Sequence, residues 1–104
     1  MRVMLDECVP VRLKRWLPDH EVNTVSELGW SGIQNGRLLR LLVEGNYDAF
    51  VTTDKNLEYQ QNLPGLPLAI LVLPTNHWKS LQPHQARVLQ AFGRLRSGQV
   101  TRLD

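Results

Sequence analysis

Leu68-Ala-Ile-Leu-Val-Leu73 is an unbroken apolar run of strand length. A strand wetted on one face alternates apolar and polar residues. A continuous run is the signature of a strand buried on both faces, as in a parallel sheet flanked by helices. The neighbouring segments extend this reading. Arg2-Val-Met-Leu5 and Ala49-Phe-Val-Thr52 are short runs of the same kind. Glu21-Val-Asn-Thr-Val25 has the alternation and β-branching of another strand, and Gln99-Val-Thr-Arg-Leu103 adds a fifth at an edge.

Helix-period segments separate these strands. Pro10 suits a first helical turn, Leu13, Trp16 and Leu17 form an apolar stripe, and Pro18 stops it. Ser26 to Gly36 is a glycine-punctuated loop. Leu38, Leu39, Leu42 and Val43 share one face of a second helix, with Gly45 as its C′ residue. Leu57 to Asn62 is read as a short helix. Ser80 is placed as the cap of a last long helix, with Pro83 in its first turn, an inner face from Leu81 to Leu95, and Gly98 at its end. The order β-α-β-α-β-(α)-β-α-β predicts an α/β fold: a single domain over residues 1–104, built as a three-layer α/β/α sandwich. Its sheet is mainly parallel, with four to five strands and right-handed crossovers.

The 104 residues carry a net charge of +2, which excludes little. The distribution is more telling. Nine of the ten acids lie between residues 6 and 58, and none between Tyr59 and Leu103, where Lys79, Arg87, Arg94, Arg96 and Arg102 stand. Such asymmetry suits a phosphate-bearing partner. The one cysteine, Cys8, excludes an internal disulfide and a cysteine-based zinc cage, and reads as a buried structural thiol. The histidines show no metal-ligand spacing. Gly29 and Gly32 are not followed by the Lys-Ser/Thr pair of a phosphate-binding loop, which disfavours ATP or dinucleotide chemistry. No apolar run approaches the roughly 20 residues that cross a bilayer, and no secretory signal is evident, so a cytoplasmic protein without a membrane partner is expected.

In open parallel sheets, sites form beyond the C-terminal strand ends. Asp6 and Glu7 follow the first strand, Ser26 and Glu27 the second, Thr52, Thr53 and Asp54 the third, and Thr75 and Asn76 the fourth. Like charges gathered there raise one another's pKa unless a cation intervenes, and carboxylate and water oxygens suit Mg²⁺ or Mn²⁺. Each acid also has a structural role open to it. Asp6 can cap a helix, Asp54 can form a turn, and Glu27 can be an exposed loop carboxylate.

Val3-Met-Leu-Asp-Glu7, Glu27-Leu-Gly-Trp30 and Asp48-Ala-Phe-Val-Thr-Thr-Asp54-Lys-Asn-Leu57 resemble the short bacterial PIN-like proteins, some encoded beside an antitoxin-like protein. The resemblance runs over nearly the whole chain. It implies a PIN-like α/β/α fold and a Mg²⁺- or Mn²⁺-dependent ribonuclease, with RNA as substrate, an antitoxin-like partner and a homodimer. It makes Asp6, Asp54 and Glu27 the catalytic acids and metal ligands. Many PIN domains place an Asp where this chain has Asn35, which keeps an oxygen ligand and lacks the charge. Lys55, Arg12, Lys14 and Arg37 are the candidate phosphate contacts, and Glu7, Thr53 and Asn56 are secondary site candidates. Two other readings stay open. One is a catalytically degenerate PIN-like module that binds RNA or protein. The other is a phospho-accepting receiver-like domain, which would also begin with an acid pair and carry an Asp after its third strand.

Overall fold

The computed structural model describes residues 1–57 and 65–103. Strands β1 (Arg2–Leu5), β2 (Glu21–Thr24), β3 (Ala49–Thr52), β4 (Ala69–Val72) and β5 (Val100–Arg102) form one sheet in the order β2-β1-β3-β4-β5. Every pair is parallel. The α/β reading therefore holds, with β5 at one edge and β2 at the other.

Strand residues alternate strictly between two core clusters, as a two-residue period requires. Val3, Leu5, Val51 and Leu71 join Leu13 and Leu17 near the N-terminus and Leu81, Val88 and Phe92 near the C-terminus. Met4, Phe50, Ile70 and Val72 join Leu38, Leu39 and Leu42 of α1 (Asn35–Glu44). The continuous apolar runs follow from this arrangement, since both faces of the central strands are packed.

Three helical segments differ from the sequence expectation. The segment after Pro10 is a 3₁₀ helix, Val11–Trp16. Only seven residues separate Pro10 from Pro18, and Pro18 bars Leu17 from the helical region, so the stripe closes through i→i+3 bonds such as Leu17 N–H to Lys14 O (3.0 Å). Ser80 caps nothing. The helix starts earlier, as α2 (Trp78–Leu81), after a turn in which Thr75 Oγ1 accepts the His77 N–H (3.1 Å). Pro83, lacking an N–H, converts the next turn to 3₁₀ (Gln82–His84) before α3 (Gln85–Phe92). Gly98 does not stop that helix, which ends at Gly93; Gly98 turns the chain into β5 at φ +83°. The helix expected over Leu57 to Asn62 lies outside the described residues except for Leu57.

Gly45 does not take the left-handed conformation expected of a C′ residue (φ −82°); Asn46 does instead, at φ 59°. Gly45 serves closeness rather than handedness. A Cβ there would sit 3.2 Å from both the Leu41 carbonyl and the Tyr47 ring. Tyr47 is buried, donates to Asn23 Oδ1 (2.8 Å) and carries the Arg2 guanidinium 4.3 Å from its ring centroid. Arg2 also donates to the Gly45 carbonyl and pairs with Glu21.

The crossovers do not share one hand. The β1–β2 and β4–β5 connections both pack into the cluster containing Leu13 and Leu81, yet step in opposite directions along the sheet. Their hands are therefore opposite. The β2–β3 connection, through α1 on the other cluster, shares the hand of β1–β2, so the uniform hand expected of the crossovers does not hold at β4–β5. The rule holds for compact crossovers. This connection first crosses back to the 3₁₀ helix, where Trp78 packs on Trp16 (centroids 5.1 Å apart) and Phe92 lies near His20 (6.1 Å).

Candidate functional site

The strand order reverses between β1 and β3. The chain leaves β1 toward β2 and leaves β3 toward β4, so the loops diverge and open a crevice at the C-terminal strand ends. Asp6 and Asp54 stand at this point. The Asp6 N–H donates to Val51 O (2.9 Å), which pins the residue to the neighbouring strand.

Thr52 joins the two acids. It is the buried polar residue among the described core positions, at 0% exposure. Its hydroxyl donates to Asp6 Oδ2 (2.7 Å) and accepts the Asp54 N–H (3.0 Å). The Asp6 side chain also accepts the Glu7 N–H on Oδ1 (2.9 Å) and a long Cys8 S–H contact on Oδ2 (3.6 Å). Thr53 donates to Cys8 Sγ (3.0 Å). Cys8 is thus half-buried and free, in contact with the acid site rather than enclosed in the core.

Asp54 is held from two sides. Its Oδ1 accepts the Asn56 N–H (3.0 Å), and its Oδ2 accepts Asn35 Nδ2 (3.3 Å). Asn35 is the first residue of α1, so that helix begins at the site. A carboxylate offers about four lone-pair positions. Among the described residues, Asp6 Oδ1 and both oxygens of Asp54 each accept a single hydrogen bond, and carboxylate oxygens so placed suit hard oxygen-seeking cations.

Glu27 occupies a different arrangement. Thr24 N–H donates to Glu27 Oε1 (2.6 Å), and Glu27 N–H donates to Thr24 Oγ1 (3.1 Å). This reciprocal bracket is the Thr-x-x-Glu capping box, closing the turn after β2. Lys14 binds both Glu27 oxygens (3.0 and 3.2 Å), and Asn23 Nδ2 adds a longer bond (3.4 Å). The Lys14 hydrogen bond, then the Thr24 N–H, lower the Glu27 pKa below 4.5. No hydrogen bond joins Glu27 to Asp6 or Asp54 among the described residues, and no three His, Cys, Asp or Glu there converge closely enough to hold a metal ion.

Lys14 is committed to Glu27. Arg12, Arg37 and Lys55 are exposed, Lys55 directly after Asp54 and Arg37 in the first turn of α1. The Glu7 side chain is exposed, and its contribution to the site is its N–H. Sequence reasoning set Thr52 at the strand end without giving it a role, and read Cys8 as a structural thiol apart from the site. The signal for Thr52 was present: a hydroxyl ending the otherwise apolar run Ala49-Phe-Val. Compared with known protein families, curated proteins and solved structures, the chain matches none of them. No described helix is long and apolar enough to cross a membrane.

Proposed function

We propose that the chain is a PIN-like ribonuclease that works with Mg²⁺ or Mn²⁺ and cleaves RNA phosphodiester bonds. The observation that carries this reading is the chain Asp6–Thr52–Asp54–Asn35, which fixes two carboxylates and a carboxamide at the sheet's switch point. The donor set fits the cation, since the open positions are all oxygens and Mg²⁺ commonly takes one or two carboxylates with retained water. Asp6 and Asp54 would hold it. The bound cation supplies Lewis acidity and charge neutralisation at the phosphodiester.

The chain's own residues do the positioning. Thr52 holds Asp6 through Oδ2 while the Glu7 N–H holds Oδ1, so the carboxylate is fixed from both sides. Asn35 and the Asn56 N–H hold Asp54 without neutralising it. Arg37 and Lys55 supply exposed cations for the backbone phosphates flanking the cleaved bond.

The test is calorimetric titration of Mn²⁺ into the wild-type chain and an Asp6→Asn/Asp54→Asn variant, followed by RNA cleavage with both. Binding and cleavage by the wild type that vanish in the variant are expected. Equal cleavage by both proteins, or no Mn²⁺ binding in the millimolar range or tighter, overturns the proposal. A second reading draws on the strand order, which receiver domains share, and on Asp54 after β3. It requires acid-stable-gel-detectable phosphate uptake on Asp54 from a small acyl phosphate, lost in Asp54→Asn.

A further inference from the structure

α1 is charged against its own dipole. A helix favours acids in its first turn and bases in its last. The first turn of α1 holds no acid and its last turn no base; Arg37 stands near the start, and Glu44 closes the helix. Gln34, at the N-cap, makes no capping bond through its side chain. Arg37, Arg40, Leu41 and Glu44 occupy positions i, i+3, i+4 and i+7, so they share the face turned away from the buried Leu38, Leu39 and Leu42. A concavity of about 280 Å³ lies among these four residues.

Arg37 and Arg40 are exposed, and neither has an ion pair or hydrogen-bond partner among the described residues. Glu44 follows Arg40 by four positions, the spacing of a helical ion pair, yet no such pair forms. Two like charges one turn apart repel each other. An anion between them removes the repulsion, and the guanidinium fork matches two oxygens of a phosphate. Glu44 repels that anion from the C-terminal end. It therefore settles over the N-terminal half, where the dipole also attracts it. That half begins at the acid site. Asn35, which donates to Asp54 (3.3 Å), precedes Arg37 by two positions and Arg40 by five, about 3 and 8 Å along the helix axis.

We infer that Arg37 and Arg40 together clamp one backbone phosphate of an RNA strand, which leaves the acid site over the outer face of α1. The inference rests on the proposed function for the identity of the strand. It adds Arg40 to that reading, and a path. A strand held at Asp6 and Asp54 must pass a neighbouring element, and α1 is the helix that begins there.

The test is fluorescence anisotropy of a labelled uridine dodecamer with the full chain, in EDTA, over about 50–200 mM salt. In Arg37→Ala/Arg40→Ala, affinity at the lowest salt is expected to fall at least about tenfold through loss of charge-assisted contacts. The slope of log K against log salt is expected to shrink by about 0.7, the value for one phosphate of a single strand. Arg40→Ala alone should weaken binding at least about threefold, as a two-armed clamp requires. Arg37→Lys/Arg40→Lys should restore the slope but not the full affinity, because lysine keeps the charge and loses the fork. The alanine variants should be no less stable than wild type in urea, since they remove cations from the N-terminal half of the helix and introduce its best former; weaker binding is then not a folding defect. The same slope difference is expected in an Asp6→Asn/Asp54→Asn background. Failure to cleave therefore leaves this result standing, and failure of the clamp leaves cleavage standing. An unchanged slope in the double alanine variant overturns the inference. So does an oligoglutamate of equal charge that binds as tightly as the RNA, which assigns the face to an acidic polypeptide.

Discussion

Thr52→Val tests whether the buried hydroxyl organises the acid site. Valine keeps the shape and β-branching of threonine, so strand packing is nearly preserved. Two hydrogen bonds go. The bond to the Asp6 carboxylate, at 2.7 Å, is charge-assisted, and such bonds contribute about 1.5–3 kcal/mol. The Asp54 N–H loses its acceptor at 3.0 Å, which costs about 1 kcal/mol where water can partly replace it. Burying one more methyl returns about 0.8 kcal/mol. The net destabilisation is about 2–3 kcal/mol by these terms. Thr52→Ser keeps both bonds and loses a methyl, for about 1 kcal/mol. Urea denaturation of both variants, compared at equal slope, measures the difference. Packing alone predicts that serine is the worse substitution; the hydrogen-bond chain predicts that valine is. In an Asp6→Asn background the cost of Thr52→Val should fall by at least about 1 kcal/mol, the coupling expected of groups in direct contact. A valine variant as stable as the serine variant, or a coupling near zero, refutes the reasoning.

Other expectations follow from single contacts. Glu27→Gln should destabilise the fold by no more than about 1 kcal/mol at neutral pH, because the pair with Lys14 is exposed. The folded-state pKa is lowered, so Glu27's contribution is present above the ordinary value of 4.5 and lost as pH falls through the lower folded value. The wild type and the variant should therefore converge in chemical denaturation as pH falls through the lowered folded value, and a difference that persists or grows in acid beyond that contradicts the bracket. Gly45→Ala should cost about 1–3 kcal/mol despite alanine's better helix propensity, since its Cβ meets a carbonyl and the Tyr47 ring at 3.2 Å; a thermal scan showing a higher Tm would rule out that close approach. Tyr47→Phe should cost about 1 kcal/mol through the lost bond to Asn23, read by the same scan, and should leave Mn²⁺ affinity unchanged.

The strands were legible because burial on both faces leaves a continuous apolar run, and the runs at Val3–Leu5, Ala49–Val51 and Ala69–Leu73 are packed as they read. Helix termini were less legible. Pro10 and Pro18 mark where a helix cannot extend, but the choice of 3₁₀ over α depends on how few residues lie between them. Ser80 has the chemistry of a cap, yet Thr75 acts first and the helix is already under way. At the site, Asp6 and Asp54 could be placed by topology, since both follow neighbouring strands. Thr24-Val-Ser-Glu27 is a capping box written in the sequence, and its acid is drawn into a local bracket that the strand-end argument alone does not reveal. Thr52 and Cys8 required the register between β1 and β3, which sets a hydroxyl on β3 beside a carboxylate forty-six positions earlier.

The detour between β4 and β5 has a consequence for synthesis on the ribosome. One face of β1, β3 and β4, including Val3, Leu5, Val51 and Leu71, is covered partly by Leu81, Val88 and Phe92. Those residues all follow β4 in the chain. A nascent chain halted at Leu73 has made four of its strands but still presents that face to water, and a chain in this condition is the natural quarry of holding chaperones and proteases. Docking of Trp78 onto Trp16 brings together residues sixty-two positions apart, so closure of the core relies on long-range contacts, the kind that slow folding.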